Sequence, residues 1–90
     1  MNATQIHVFD TYARCANGRI MHFDVVTLQR EQPKALEYAR QWLRSIGEES
    51  AVVNAESCAY CHSEATAPQT MLDDIIAQGY AIYKMEGCPP

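Results

Sequence analysis

The chain predicts an α+β two-layer domain. A mixed four-stranded sheet carries helices packed on one face, in the order strand, strand, helix, strand, helix, strand. Three observations predict it. Two runs rich in β-branched and aromatic residues flank Asn17-Gly18, a favoured pair for a tight hairpin turn. Two later segments carry apolar residues at helical spacing, each opened by a proline and closed by a glycine. A short apolar run follows each of those helices.

The elements follow in order. Ile6 to Arg14 and Arg19 to Thr27 form the hairpin. If Asn17 and Gly18 are the two central residues of a type I′ turn, Ala16 pairs with Arg19 and Tyr12 faces Phe23. Ile6, Val8, Tyr12, Met21, Phe23 and Val25 then share the core face, on which Asp10 needs a partner or a place at the rim. The other face carries His7, Phe9, Thr11, His22, Asp24 and Val26. Pro33 to Ile46 is a helix with an apolar stripe of Ala35, Leu36, Ala39, Trp42, Leu43 and Ile46. Ala51 to Ala55 is a short strand. Pro68 to Gln78 is a second helix burying Met71, Leu72, Ile75 and Ile76, and Tyr80 to Met85 is the last strand.

Ninety residues make one domain, 1–90, with a thin core, since a chain this short buries only about 60–65% of its unfolded surface. The net charge of −4 and the seven scattered Lys and Arg leave no basic stripe to neutralise phosphates, which argues against nucleic acid and anionic membranes as partners. No apolar run approaches a membrane span, and Met1-Asn2-Ala3-Thr4-Gln5 has neither a basic nor an apolar leader region. The expected compartment is therefore the cytoplasm. There, four cysteines read as thiols, ligands or redox groups before they read as structural disulfides.

Helical crossovers normally join parallel neighbours, so the last three strands are expected to run in one direction. Their exits then place Cys58, Cys61 and Cys88 together at the carboxyl end of the sheet, and leave Cys15 alone beside the hairpin turn. Cys58-Ala59-Tyr60-Cys61-His62 has four readings. Covalent haem, with His62 and Met71 or Met85 as axial ligands, fits poorly with the missing export signal and the strand-rich pattern. A redox dithiol or oxidant sensor pairs Cys58 with Cys61 or Cys88. A zinc site takes sulfur from Cys58, Cys61 and Cys88 and a nitrogen from His62 or His7. In the fourth reading the cysteines are inert core residues, and the domain serves as a homodimer or docks an unknown protein partner. Phe9, Ile20, Val26 and Leu28, sharing one hairpin face, suit such a dimer. A small enzyme is a further alternative, with Asp24 orienting His22 as general base.

The residues also carry a family resemblance. Ile6-His7-Val8-Phe9-Asp10-Thr11-Tyr12, Met21-His22-Phe23-Asp24-Val25, Gln41 to Glu49, Cys58-Ala59-Tyr60-Cys61-His62-Ser63 and Ile82 to Cys88 resemble the bacterial domain of unknown function number two thousand and twenty-four. That resemblance spans nearly the whole chain. It implies a small α/β domain without an established activity. Cys58, Cys61, His62 and Cys88 appear as part of the family pattern and Cys15 does not, but no catalytic role or cofactor comes with them.

Overall fold

The computed structural model describes residues 5–90, so the leader reading of Met1 to Thr4 lies outside the described residues. Strands β1 (Ile6–Arg14) and β2 (Ile20–Thr27) form the hairpin. Its turn holds one residue more than a type I′ turn allows. The Gly18 amide donates to the Cys15 carbonyl at 2.9 Å, and the Cys15 amide donates to the Arg19 carbonyl at 2.8 Å. The Asn17 side chain accepts from the Arg19 amide at 2.9 Å. Gly18 alone of the turn takes a positive φ, +88°, whereas a type I′ turn needs one at Asn17 as well. The loop is thus the three-residue kind, a turn followed by a left-handed glycine bulge.

That extra residue shifts the register by one. Tyr12 pairs with His22 and Thr11 with Phe23, so β1 is turned over relative to the expected pairing. Phe9, Thr11 and Ala13 now share the first face with Met21, Phe23 and Val25, and Ile6, Val8, Asp10 and Tyr12 share the second face with His22, Asp24 and Val26. Of the residues read as a dimer face, Phe9 and Val26 are buried within the chain, and Ile20 and Leu28 are exposed.

Helix α1 (Gln32–Ser45) covers the first face, with Ala35, Tyr38, Ala39 and Leu43 buried against Phe9, Met21, Phe23 and Val25. Leu36, Trp42 and Ile46 pack at the margin of this core. The chain then leaves the expected path. In place of a strand from Ala51 to Ala55 there is a single bridge between Val52 and Arg14, followed by a turn of 3-10 helix at Ala55–Ser57. Gln32 Nε2 donates to the carbonyls of Ala55 and Cys58, both at 2.7 Å, and Arg40 donates to the Val53 carbonyl at 3.1 Å. These bonds fasten the connection across the hairpin end of β1, and β3 (Cys58–Glu64) then pairs with β1. Helix α2 (Gln69–Gln78) and strand β4 (Tyr80–Lys84) follow close to expectation, and β4 pairs with β2.

The four strands, two helices and their chain order agree with the predicted α+β class; the sheet's directions do not. The strand order is β3-β1-β2-β4 and every neighbouring pair is antiparallel, where a mixed sheet was expected. The first crossover does link strands of one direction, but β1 lies between them. The second crossover carries the chain across both hairpin strands and returns it in the opposite direction. The helices also lie on opposite faces, not on one. α2 packs on the second face, where Ile75 meets Ile6, Val8, Val26 and Ala81, with Met71 and Leu72 alongside. Ile76, expected inside, is 81% exposed. Among the described residues no helix is long and apolar enough to cross a membrane.

Candidate metal centre

Helix α2 covers only the end of the second face that holds Ile6, Val8, Val26 and Ala81. Toward the hairpin turn the face is open, and Asp10, Tyr12, His22 and Asp24 stand there side by side on β1 and β2. Asp10 lies directly across from Asp24. Like charges at opposed positions of a strand pair repel. His22 relieves part of this: one ring nitrogen, Nε2, lies 2.6 Å from Asp10 Oδ1. The Tyr12 ring stacks on the imidazole at 4.1 Å, with 6° between the planes.

The backbone of His22 is held from the other side by the segment after β4. Its amide donates to the Glu86 carbonyl at 2.8 Å, and its carbonyl accepts from the Met85 amide at 2.9 Å and the Cys88 thiol at 3.3 Å. Gly87 makes this return tight, with φ at +80° and only 2.0 Å between the Ile20 carbonyl oxygen and the place a Cβ would occupy. Gly87→Ala must both adopt a left-handed conformation, at about 1–2 kcal/mol, and push that carbonyl away. The expected result is a lowered melting temperature together with a displaced His22 imidazole resonance by NMR.

Burial pushes the Asp24 carboxyl above its ordinary value of 3.8, and the neighbouring charge of Asp10 adds to the rise, while His22 and His62 oppose it. Two adjacent carboxylates, both half-buried, and an imidazole form a group that gains from a shared proton or a cation. One oxygen from each aspartate and one nitrogen of His22 all lie within 4.8 Å of one another. Among the described residues this is the one set of three His, Cys, Asp or Glu so placed. A cleft of about 230 Å³ adjoins it, lined by the polar Asp24, His62, Glu64 and Tyr83 and by the apolar Ile6 and Met71 among others.

The three cysteines expected to share a zinc ion are not brought together, although Cys61 and His62 lie side by side. Cys58 opens β3 on the first face, opposite Thr11, and is fully buried, with the Thr11 hydroxyl donating to its sulfur at 3.5 Å. Cys61 is exposed on the same strand, beside His62. Cys88 follows β4 and lies half-buried at the other edge of the sheet, with two strands between it and β3. The convergence of strand exits on which the grouping rested does not occur, because β4 runs antiparallel to β3 and the chain enters β3 at Cys58. His7 lies on the first face, its Nδ1 3.3 Å from the Tyr60 hydroxyl. Burial pushes the thiols of both Cys58 and Cys15 up, which favours the uncharged form. Iodoacetamide is therefore expected to label Cys61 and Cys88 in the native protein and to reach Cys58 and Cys15 only on unfolding, as peptide mapping would show.

His22 and Asp24 do share a face, as expected, but the partner of His22 is Asp10, which the two-residue turn had assigned to the core. The signal for Asp10 was present as an unpaired charge in an otherwise apolar alternation, and a one-residue shift of register resolves it.

This chain belongs to the family described as a domain of unknown function (DUF2024), whose match spans residues 4–85. It is similar to the NMR structure of protein NE1680 from Nitrosomonas europaea, with 55% identity over 94% of this chain and 99% of that one, and a TM-score of 0.82. No curated protein matches the chain.

Proposed function

We propose that the domain binds a divalent transition-metal ion, with zinc the leading candidate, through Asp10, His22 and Asp24. The observation that carries this reading is the approach of three ligand atoms within 4.8 Å on the open face of the two central strands. Rigid sheet positions hold the donors; the Tyr12 ring packs on the imidazole, and the return through Met85 to Cys88 anchors the His22 backbone. Two carboxylates with one imidazole suit zinc, iron or manganese better than calcium, which prefers oxygen alone. Three protein ligands leave coordination positions open to water or to a small ligand in the adjoining cleft. At about 230 Å³ that cleft is smaller than the roughly 300 Å³ at which drug-sized pockets begin, so the ligand is a small one.

Calorimetric titration with zinc and elemental analysis test this reading together. The expected result is one ion per chain, lost in Asp24→Asn and in His22→Ala and retained in Cys58→Ser and Cys88→Ser. Zinc lost in the cysteine variants and kept in Asp24→Asn would place the ion at the thiols instead. No zinc uptake by the wild type, with the Asp10–His22 pair intact, would leave the metal-free general-base reading of His22. Because His22 and both aspartates must bind the ion deprotonated, affinity is expected to rise with pH.

A further inference from the structure

The thiol motif folds differently from what its spacing suggests. β1 and β3 lose register between Val8 and Phe9: Phe9 pairs with Tyr60 and Val8 with His62, leaving Cys61 as the extra residue of a β-bulge. Tyr60 packs inward, its ring edge-on to Phe9 at 5.3 Å, while His62 and Glu64 line the cleft on the second face. Cys61, unpaired in the ladder on an edge strand, is exposed. His62 Nδ1 lies 3.0 Å from its sulfur, and His62 Nε2 lies 2.9 Å from Glu64 Oε2. Sulfur, imidazole and carboxylate thus stand in the order nucleophile, base, orienting group.

We propose that Cys61 is a single-cysteine nucleophile that His62 deprotonates, and that it captures small disulfides as a persistent mixed disulfide. The Cys61 thiol proton passes to His62 Nδ1, with Glu64 holding the proton on Nε2. The Cys61 thiolate attacks one sulfur of the small disulfide; a new sulfur–sulfur bond forms as the old one breaks. The departing thiolate takes the proton from His62 and leaves as a thiol. Cys61 is oxidised and half of the small disulfide is reduced, so no further oxidant is required. The adduct persists because no thiol is placed to resolve it. Cys58, three residues away, is buried on the first face and held by Thr11; Cys88 lies at the opposite edge; and Cys15 is buried by the hairpin turn. C-x-x-C therefore does not act here as a dithiol pair, and the site shares no residue with the proposed metal centre, although His62, Glu64 and Asp24 line one cleft.

The test uses 2-hydroxyethyl disulfide on the native protein at neutral pH, followed by intact-mass and peptide mass spectrometry. The expected result is one reducible adduct per chain, on Cys61, absent in Cys61→Ser and present in Cys58→Ser and Cys88→Ser. His62→Ala, checked for an unchanged far-UV circular dichroism spectrum, is expected to slow adduct formation roughly 10-fold or more, and Glu64→Gln to slow it less. A Cys58–Cys61 internal disulfide, an adduct mainly on Cys88, or an undiminished rate in His62→Ala each overturns the proposal.

Discussion

Phe23→Ala is expected to remove a large share of the domain's stability. Phe23 is fully buried at the middle of β2, its ring 4.7 Å from that of Trp42 on α1, and it lies in the core that also holds Phe9, Met21 and Leu43. Truncating such a ring loses transfer free energy and leaves a cavity that close-packed neighbours fill only in part, at about 3–5 kcal/mol. A 90-residue domain has on the order of 5–13 kcal/mol in total. Urea titration followed by tryptophan fluorescence should show a midpoint lowered by a third or more, with an unchanged slope. Ile76→Ala is the matched control: that side chain, read from the sequence as buried, is exposed, and its loss should move the midpoint little.

Asp24→Asn is expected to act in opposite directions on the free and metal-bound protein. In the free protein Asp24 is raised by burial and by Asp10. A carboxyl whose folded value lies above its unfolded value binds more protons when folded, so its contribution to stability is full below the unfolded value near 3.8 and is lost as pH rises through the folded value. The wild type without metal should therefore lose stability over that interval as pH rises. Asp24→Asn abolishes this slope and melts higher than wild type at neutral pH. With zinc in excess the ranking reverses, because the ion stabilises only the chain that binds it. Losing a direct ligand should weaken binding by about 100-fold or more, beyond what the loss of an outer contact costs. Melting curves of both proteins across pH, with and without zinc, read both effects. A variant less stable than wild type without metal would mean that the Asp24 carboxylate is itself a structural acceptor.

The elements were largely legible in the sequence, and the pairings were not. Proline at the start and glycine at the stop located both helices to within a residue or two, because they act through local backbone geometry. Asn17-Gly18 located the hairpin, but the same dipeptide serves two turn types that differ by one residue. That residue decides whether Asp10 enters the core or meets His22 and Asp24. The third strand was misplaced because the bulge at Cys61 breaks the alternation of Cys58 to Glu64, while Ala51 to Ala55 has strand-like composition without a ladder partner beyond Arg14. The direction of β4 was hidden for a different reason. Its antiparallel course depends on contacts between α2 and the second face, which no local pattern records. The parallel-crossover rule then grouped three cysteines that the sheet separates.

The central claim is that a metal ion sits between β1 and β2 on the open face. The most direct measurement is a titration of the nitrogen-15-labelled protein with manganese(II), read as paramagnetic broadening of amide resonances. The account predicts broadening centred on Asp10, Tyr12, His22 and Asp24, spreading to Ala59 and Tyr83 beside them and falling off with distance from that centre. Broadening centred on Cys61 and His62, or on Cys88, or uniform weak broadening without a centre, would contradict it.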